Sequence, residues 1–274
     1  MERALVLEGG GLRGNYTAGV LDAFLDVGLA FPLVIGVSAG AGMGCSYVSK
    51  QRGRNLRVLK EYRADPRYLS IGSLFRTGNL FGLDFIFDEI PNRLIPLDFD
   101  AFYANPARFV TVCTDCATGR ALYCEKDADA LTAMKGSSAL PYISRMVDYR
   151  GYKVLDGAVC DPIPLKKAYA EGFRNNVVVL TRPVGYRRRE ELHPPPELFY
   201  RRWPALVRAL KVFTQNYNDA ITYVENEAAA GHIILVRPSA DLGISRTEKS
   251  IPALVAAYEL GLRDGAAAVE TIKG

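Results

Sequence analysis

Two glycine-rich turns near the start of the chain each follow a short apolar run: Gly9-Gly10-Gly11-Leu12-Arg13-Gly14 after Ala4-Leu5-Val6-Leu7, and Gly36-Val37-Ser38-Ala39-Gly40 after Leu33-Val34-Ile35. In the second, the Gly-x-Ser-x-Gly spacing lets a sharp strand-to-helix turn lift a serine side chain off a sheet, while Gly36 and Gly40 avoid clashes around it. Ser38 is therefore a candidate nucleophile for acyl transfer, with a helix N-cap as its plainer alternative. Acyl transfer also needs hydrogen-bond donors where negative charge collects on the carbonyl oxygen, and successive glycine amides at a helix start can converge on one point. Gly9, Gly10, Gly11, Leu12, Arg13 and Gly14 form that candidate oxyanion loop. Gly10 and Gly11 are its leading donors, and Arg13 either braces the loop or attracts an anionic head group.

A serine nucleophile needs a base, yet the chain has only two histidines, His193 and His232. A carboxylate can serve directly if it is desolvated and within hydrogen-bond reach of the serine. The best candidate is Asp156 in Asp156-Gly157-Ala158. It ends an apolar strand, so it is expected at the same sheet edge as Ser38, and Gly157 permits a tight turn. Other readings stay open. Asp156-Gly157 can be a plain turn. His232 follows the serine in chain order, as a Ser-His-Asp triad on an α/β-hydrolase scaffold would require. The first loop also spells Gly-x-Gly-x-x-Gly, a dinucleotide-binding spacing, although Val37-Ser38-Ala39 occupies the place where a ribose-binding acid is expected. A non-catalytic lipid-binding module is the last alternative.

Positioning these groups requires a sheet. Ala18, Val20, Leu21, Phe24 and Leu25 recur at helical spacing, with Gly28 as a stop. Residues 3 to 37 thus form a strand-helix-strand unit that brings both turns to one carboxyl edge. Helices are expected over 39–50 and 55–64. The stretch Pro66 to Pro96 has weak periodicity and is either a lid or channel wall or a surface connection. Strands near 109–114, 120–124, 152–155 and 176–180 alternate with helices near 128–135 and 162–171. That alternation predicts an α/β fold with a mainly parallel central sheet and helices on both faces. Thr181 to Pro196, with Arg187-Arg188-Arg189 and Pro194-Pro195-Pro196, is the clearest break. It divides a core over 1–182 from a mainly helical extension over 183–274 packed on the same domain. In the extension, 198–223 reads as helix, 233–236 as strand and 247–269 as a closing helix.

Composition narrows the partners. A net charge of +4 over 274 residues is too weak to argue for nucleic acid but suits an anionic lipid surface. No apolar run reaches the length of a membrane span, and four apolar residues before Glu8 are too few for a secretory signal, so a cytoplasmic protein is expected. Phe199-Tyr200-Arg201-Arg202-Trp203 reads as a peripheral contact with the inner membrane surface or, equally, as a solvated helix with an apolar inner face. The five cysteines are an odd, irregular set that suits reduced thiols. Cys113-x-x-Cys116 lacks a second pair or a nearby His, so it is read as a strand end and turn, and no metal or cofactor is expected.

The glycine loop, the Gly-x-Ser-x-Gly turn and Asp156-Gly157-Ala158, in that order, resemble the patatin-like phospholipase family. Ser137-Ser138-Ala139-Leu140-Pro141 and Asp161-Pro162-Ile163-Pro164 add to the likeness, which runs from about residue 3 to 182. Glu8 departs from it, since many relatives carry Asp before the glycines. The resemblance implies a three-layer sandwich and a Ser38–Asp156 dyad with no histidine. It also implies an oxyanion hole in Gly9 to Gly14 and a lipid or acyl-ester substrate.

Overall fold

The computed structural model describes residues 2–190 and 193–274, so Glu191 and Leu192 of the expected break lie outside the described residues. Strand β1 (Ala4–Leu7) leads through the glycine loop into helix α1 (Gly14–Asp26), and β2 (Leu33–Val37) pairs with β1 in parallel. Helix α2 (Ala39–Val48) follows the serine turn directly. The remaining strands are β3 (Arg108–Asp115), β4 (Arg120–Glu125), β5 (Val147–Tyr149), β6 (Tyr152–Asp156), β7 (Val177–Val179) and β8 (Ile234–Val236). Their order is β5-β6-β3-β2-β1-β7-β8, with β4 also paired to β3.

The parallel part runs from β8 through β7, β1 and β2 to β3. Its strands are near-continuous apolar runs because helices cover both faces. Ala4 and Val6 pack with Tyr217, Ile221 and Val224 of the helix Phe213–Ala229. Leu5 and Leu7 point the other way, into a cluster with Tyr16, Val20 and Phe24 of α1. This period of two is the strand geometry expected of a sheet between two helical layers.

The far side of the sheet is antiparallel: β4 and β6 both run against β3, and β5 runs against β6. A β5–β6 hairpin turns through Arg150 and Gly151, both at positive φ (49° and 83°), the signature of a two-residue turn. The sequence reading did not pick out β5.

Residues 183–274 do not stand apart. β8 extends the sheet beside β7, and the closing helix Ile251–Lys273 lies along α1. At their contact the backbones meet: a Cβ on Gly19 or on Gly261 would sit 2.0 Å from a carbonyl oxygen of the other helix. The stretch expected as one helix over 198–223 is instead three, Pro196–Tyr200, Pro204–Lys211 and Phe213–Ala229. Pro204 cannot continue a helix but starts one well.

Between α2 and β3 lie α3 (Arg54–Tyr62), α4 (Ile71–Thr77) and a π-helical segment, Phe85–Leu94, that accommodates Pro91. Tyr68, Phe81, Leu83, Phe85 and Ile90 from this region are buried together. Among the described residues no helix is long and apolar enough to cross a membrane, and no group of His, Cys, Asp and Glu could hold a metal ion. Cys113 and Cys116 are free, buried thiols at the end of β3.

Candidate active site

β2 ends at Val37 and α2 begins at Ala39, which leaves Ser38 alone at the turn with φ 52° and ψ −122°. A non-glycine residue held there stores about 1–3 kcal/mol of backbone strain, which the surroundings must overcome. Ser38 N donates to Ser137 Oγ at 2.7 Å, and Ser137 Oγ donates to the Val112 carbonyl at 2.5 Å. Gly42 N donates to the Ser38 carbonyl at 3.1 Å. Ser137 thus ties the turn to β3. The turn also needs Gly40, where a Cβ would lie 2.6 Å from the Leu7 carbonyl oxygen.

Asp156 reaches the same place by register, not by strand direction. β6 runs antiparallel to β3, so its end points away from the carboxyl edge of the parallel strands. The pairing nevertheless sets Asp156 opposite Cys113, while Val37 is opposite Val112. The aspartate and Ser38 therefore stand level on the two sides of β3. The chain then turns so tightly that a Cβ on Gly157 would be 2.1 Å from the Val112 carbonyl oxygen.

Asp156 is 3% exposed. Its Oδ1 accepts from Ala158 N at 2.9 Å, and the Ser38 side chain is a further hydrogen-bonding partner that favours its ionised form. Burial pushes the carboxyl up to about 6, although the Ala158 and Ser38 contacts and the charges of Arg246 and Arg188 oppose the rise. A buried carboxyl with that value is an ionised base at neutral pH and a competent acid one step later.

The glycine loop lies against Ser38 and lines the same cavity as Asp156. Gly10 and Gly11 donate no backbone hydrogen bond to a protein acceptor among the described residues. Leu12 N is engaged at 3.0 Å by the Arg246 carbonyl, and Gly14 N bonds the carbonyls of Gly11 and Leu12. Gly10 and Gly11, together with Gly9, are left as the open donors among the described residues. Gly9 carries no side chain where a Cβ would come within 3.1 Å of Ser38 Cβ.

Sequence reasoning missed what anchors this loop. Glu8 is buried, and its Oε1 accepts from Tyr217 Oη at 2.5 Å. Its Oε2 accepts from Thr181 N at 2.6 Å and Thr181 Oγ1 at 3.0 Å. One carboxylate joins the ends of β1 and β7 to the helix Phe213–Ala229. The acid at the loop's start was the signal, but its partners lie 173 and 209 residues away.

Ser38, Asp156 and the loop line one cavity of about 420 Å³, a size suited to a small-molecule site. One wall is apolar, built from Phe81, Leu83, Ile86, Phe87 and Ile90, so the 66–96 stretch lines the chamber. The lining also carries Arg13, Arg54, Arg182, Arg188 and Arg246. The histidines separate. His232 precedes the start of β8, at the edge opposite Ser38, and its exposed ring meets Glu227 Oε2 at 3.2 Å. His193 lines the cavity, stacked on Tyr142 with centroids 5.3 Å apart. The aromatic and basic stretch 199–203 is divided too: Tyr200 is buried, while Phe199 is 54% exposed.

A family model described as "Patatin-like phospholipase" matches residues 5–169, more than half of the chain. The chain belongs to the patatin-like phospholipase family. A second model, "Domain of unknown function (DUF6363)", matches residues 203–274 of this patatin-like protein. Among curated proteins the chain is similar to "Uncharacterized protein YjjU" of Escherichia coli (strain K12), with 29% identity over 272 residues, covering 94% of this chain and 74% of that protein. Among solved structures it is similar to VipD from Legionella pneumophila, with a TM-score of 0.47 and 13% identity over 98% of this chain and 67% of the other.

Proposed function

We propose that this patatin-like protein hydrolyses lipid acyl esters through a Ser38–Asp156 dyad. Ser38 Oγ attacks the ester carbonyl while its proton passes to Asp156. The amides of Gly10 and Gly11 hold the resulting oxyanion. On collapse the ester C–O bond breaks, and Asp156 returns its proton to the departing alcohol. Water then attacks the acyl-enzyme, gives its proton to Asp156, and the fatty acid leaves as Ser38 recovers that proton. The observation that carries this reading is a strained serine lining a cavity with a buried carboxyl and open glycine amides. The apolar wall supports an acyl chain as the substrate's other end. A fluorophosphonate probe is expected to modify the protein at Ser38, located by peptide mass, and fatty acid is expected to be released from a mixed lipid extract. Modification elsewhere, with Ser38 untouched, ends the proposal.

The carboxyl also sets a pH dependence. Asp156 must be ionised to take the Ser38 proton, so kcat/KM is expected to fall on the acid side with an inflection near pH 6. Below it the rate drops about tenfold per pH unit. A profile whose acid limb disappears in His193→Ala would make that histidine the base instead. His232→Ala is expected to leave the profile unchanged.

A further inference from the structure

We propose that Arg63 is a positioning residue for the glycine loop: it fixes the segment 244–250, and that segment in turn holds the loop's amides where the oxyanion forms. The proposal rests on the hydrolase reading. It adds a part in the reaction for residues 203–274, the stretch matched by the domain of unknown function.

Arg63 directly follows α3 and is buried. Its guanidinium bonds main-chain carbonyls: Nε donates to the Glu248 carbonyl at 2.7 Å, and Nη2 donates to that carbonyl at 2.5 Å and to the Thr247 carbonyl at 3.3 Å. Burial pushes the guanidinium below its usual range, and Tyr68 and Glu248 oppose this only in part. One planar fork spans two successive carbonyls, so it fixes the course of the chain just beyond Arg246.

At Arg246 the segment meets the loop. The Arg246 carbonyl accepts from Leu12 N at 3.0 Å, and the same oxygen stands 2.6 Å from where Gly11 would carry a Cβ. Ile244 is buried in one cluster with Leu12 and with Leu59 of α3, so side chains join the same three parts. Within the segment the Glu248 carboxylate accepts from Lys249 N at 2.9 Å and Ser250 N at 3.0 Å. Ser250 Oγ then accepts from Ala253 N at 3.3 Å in the first turn of the closing helix. The start of the loop has its own anchor, Glu8 on Thr181. Between the two anchors lie the open amides of Gly9, Gly10 and Gly11, which among the described residues donate no backbone hydrogen bond that would set their direction. Oxyanion donors must stay within about 0.5 Å of their working place. A slack segment would therefore reach the chemistry, although Arg63 is not among the residues that line the cavity.

The test compares two analogues on wild type, Arg63→Gln and Arg63→Lys. With an alkyl trifluoromethyl ketone, Ser38 Oγ bonds the carbonyl carbon, its proton passes to Asp156, and the carbonyl oxygen becomes an oxyanion facing the glycine amides. The matching alkyl ether binds without reacting. Arg63→Gln is expected to weaken ketone binding at least about tenfold, the worth of one hydrogen bond, and to slow acylation by a chromogenic ester in like measure. Ether binding should stay within about twofold, since ground-state contacts are untouched. Arg63→Lys keeps the charge but not the fork, so its loss on the ketone should be smaller, about threefold. If Arg63→Gln melts lower yet acylates and binds the ketone as wild type does, Arg63 serves stability alone and the proposal is overturned. Equal losses on ketone and ether overturn it as well, because the segment would then shape the cavity and not the oxyanion loop. Where Arg63→Gln does not fold, Arg63→Lys decides, and ketone affinity equal to that of wild type overturns the proposal. Fluorophosphonate labelling of wild type at Ser38 reports separately on the hydrolase reading.

Discussion

Ser38→Ala and Asp156→Asn are each expected to lower kcat/KM for an acyl ester by on the order of 10⁴-fold or more, and the double variant by no more than the worse of the two. A serine without a proton acceptor is a weak nucleophile, and a carboxylate without its serine has nothing to activate, so the pair acts as a unit. What remains comes from the glycine amides and substrate binding. Steady-state assays of the three variants decide the matter, because independent roles would make the losses multiply. A separate measurement follows from burial. The Asp156 carboxyl ordinarily titrates at 3.8 and here at about 6. At low pH both folded and unfolded chains hold the proton and nothing is lost. As pH rises from about 4 to 6 the unfolded chain ionises first, which costs the fold up to about 3 kcal/mol above pH 6. Asparagine has no such titration. Asp156→Asn is therefore expected to melt at a higher temperature than wild type at pH 8, with the gap closing towards pH 4. A variant that melts lower at pH 8 would remove the claim that the native carboxylate is held at a cost.

The three motifs were legible because each is local. Gly-x-Ser-x-Gly, the glycine loop and Asp156-Gly157-Ala158 are punctuated by residues whose backbone requirements can be read one turn at a time, and the apolar runs before the first two are strands buried on both faces. The antiparallel side of the sheet was not legible in the same way. Alternation of strands and helices predicted parallel pairing, and nothing local in Lys153-Val154-Leu155 states which way its neighbour runs. Asp156 was expected at the right edge for the wrong reason, since the register with β3 delivers it there. The contacts that brace the site are still more distant. Glu8 meets Tyr217, and Leu12 meets Arg246, through pairings that only the assembled sheet and the C-terminal region packed on it create. The residues between Pro66 and Pro96 also resisted a periodic reading. Their apolar side chains serve a cavity wall through a π-helical segment, whose period is not that of an α-helix.

Gly11→Ala is expected to reduce kcat by about 10²- to 10³-fold, the range seen when one oxyanion donor is lost. Gly11 has φ 57°, and a Cβ there would sit 2.6 Å from the Arg246 carbonyl oxygen. That oxygen accepts the Leu12 amide, so the new methyl meets a backbone carbonyl that is already held in place. The loop must shift, and the amides of Gly10 and Gly11 shift with it. Strain alone would also lower stability, so Gly28→Ala supplies the comparison. Gly28 has φ 65°, with open space where a Cβ would stand. It should cost about 1–3 kcal/mol of stability and leave kcat within about twofold. Burst kinetics with a chromogenic ester separate acylation from binding: loss of the acylation rate with little change in KM assigns the loop to the oxyanion, because such donors act mainly on charge that develops during reaction. If Gly11→Ala acylates as fast as Gly28→Ala, the loop is not the oxyanion hole. If only KM rises, the loop holds substrate without stabilising its transition state. The carbonyl that opposes the new methyl belongs to the C-terminal region, so the same variant also measures how firmly that region holds the glycine loop.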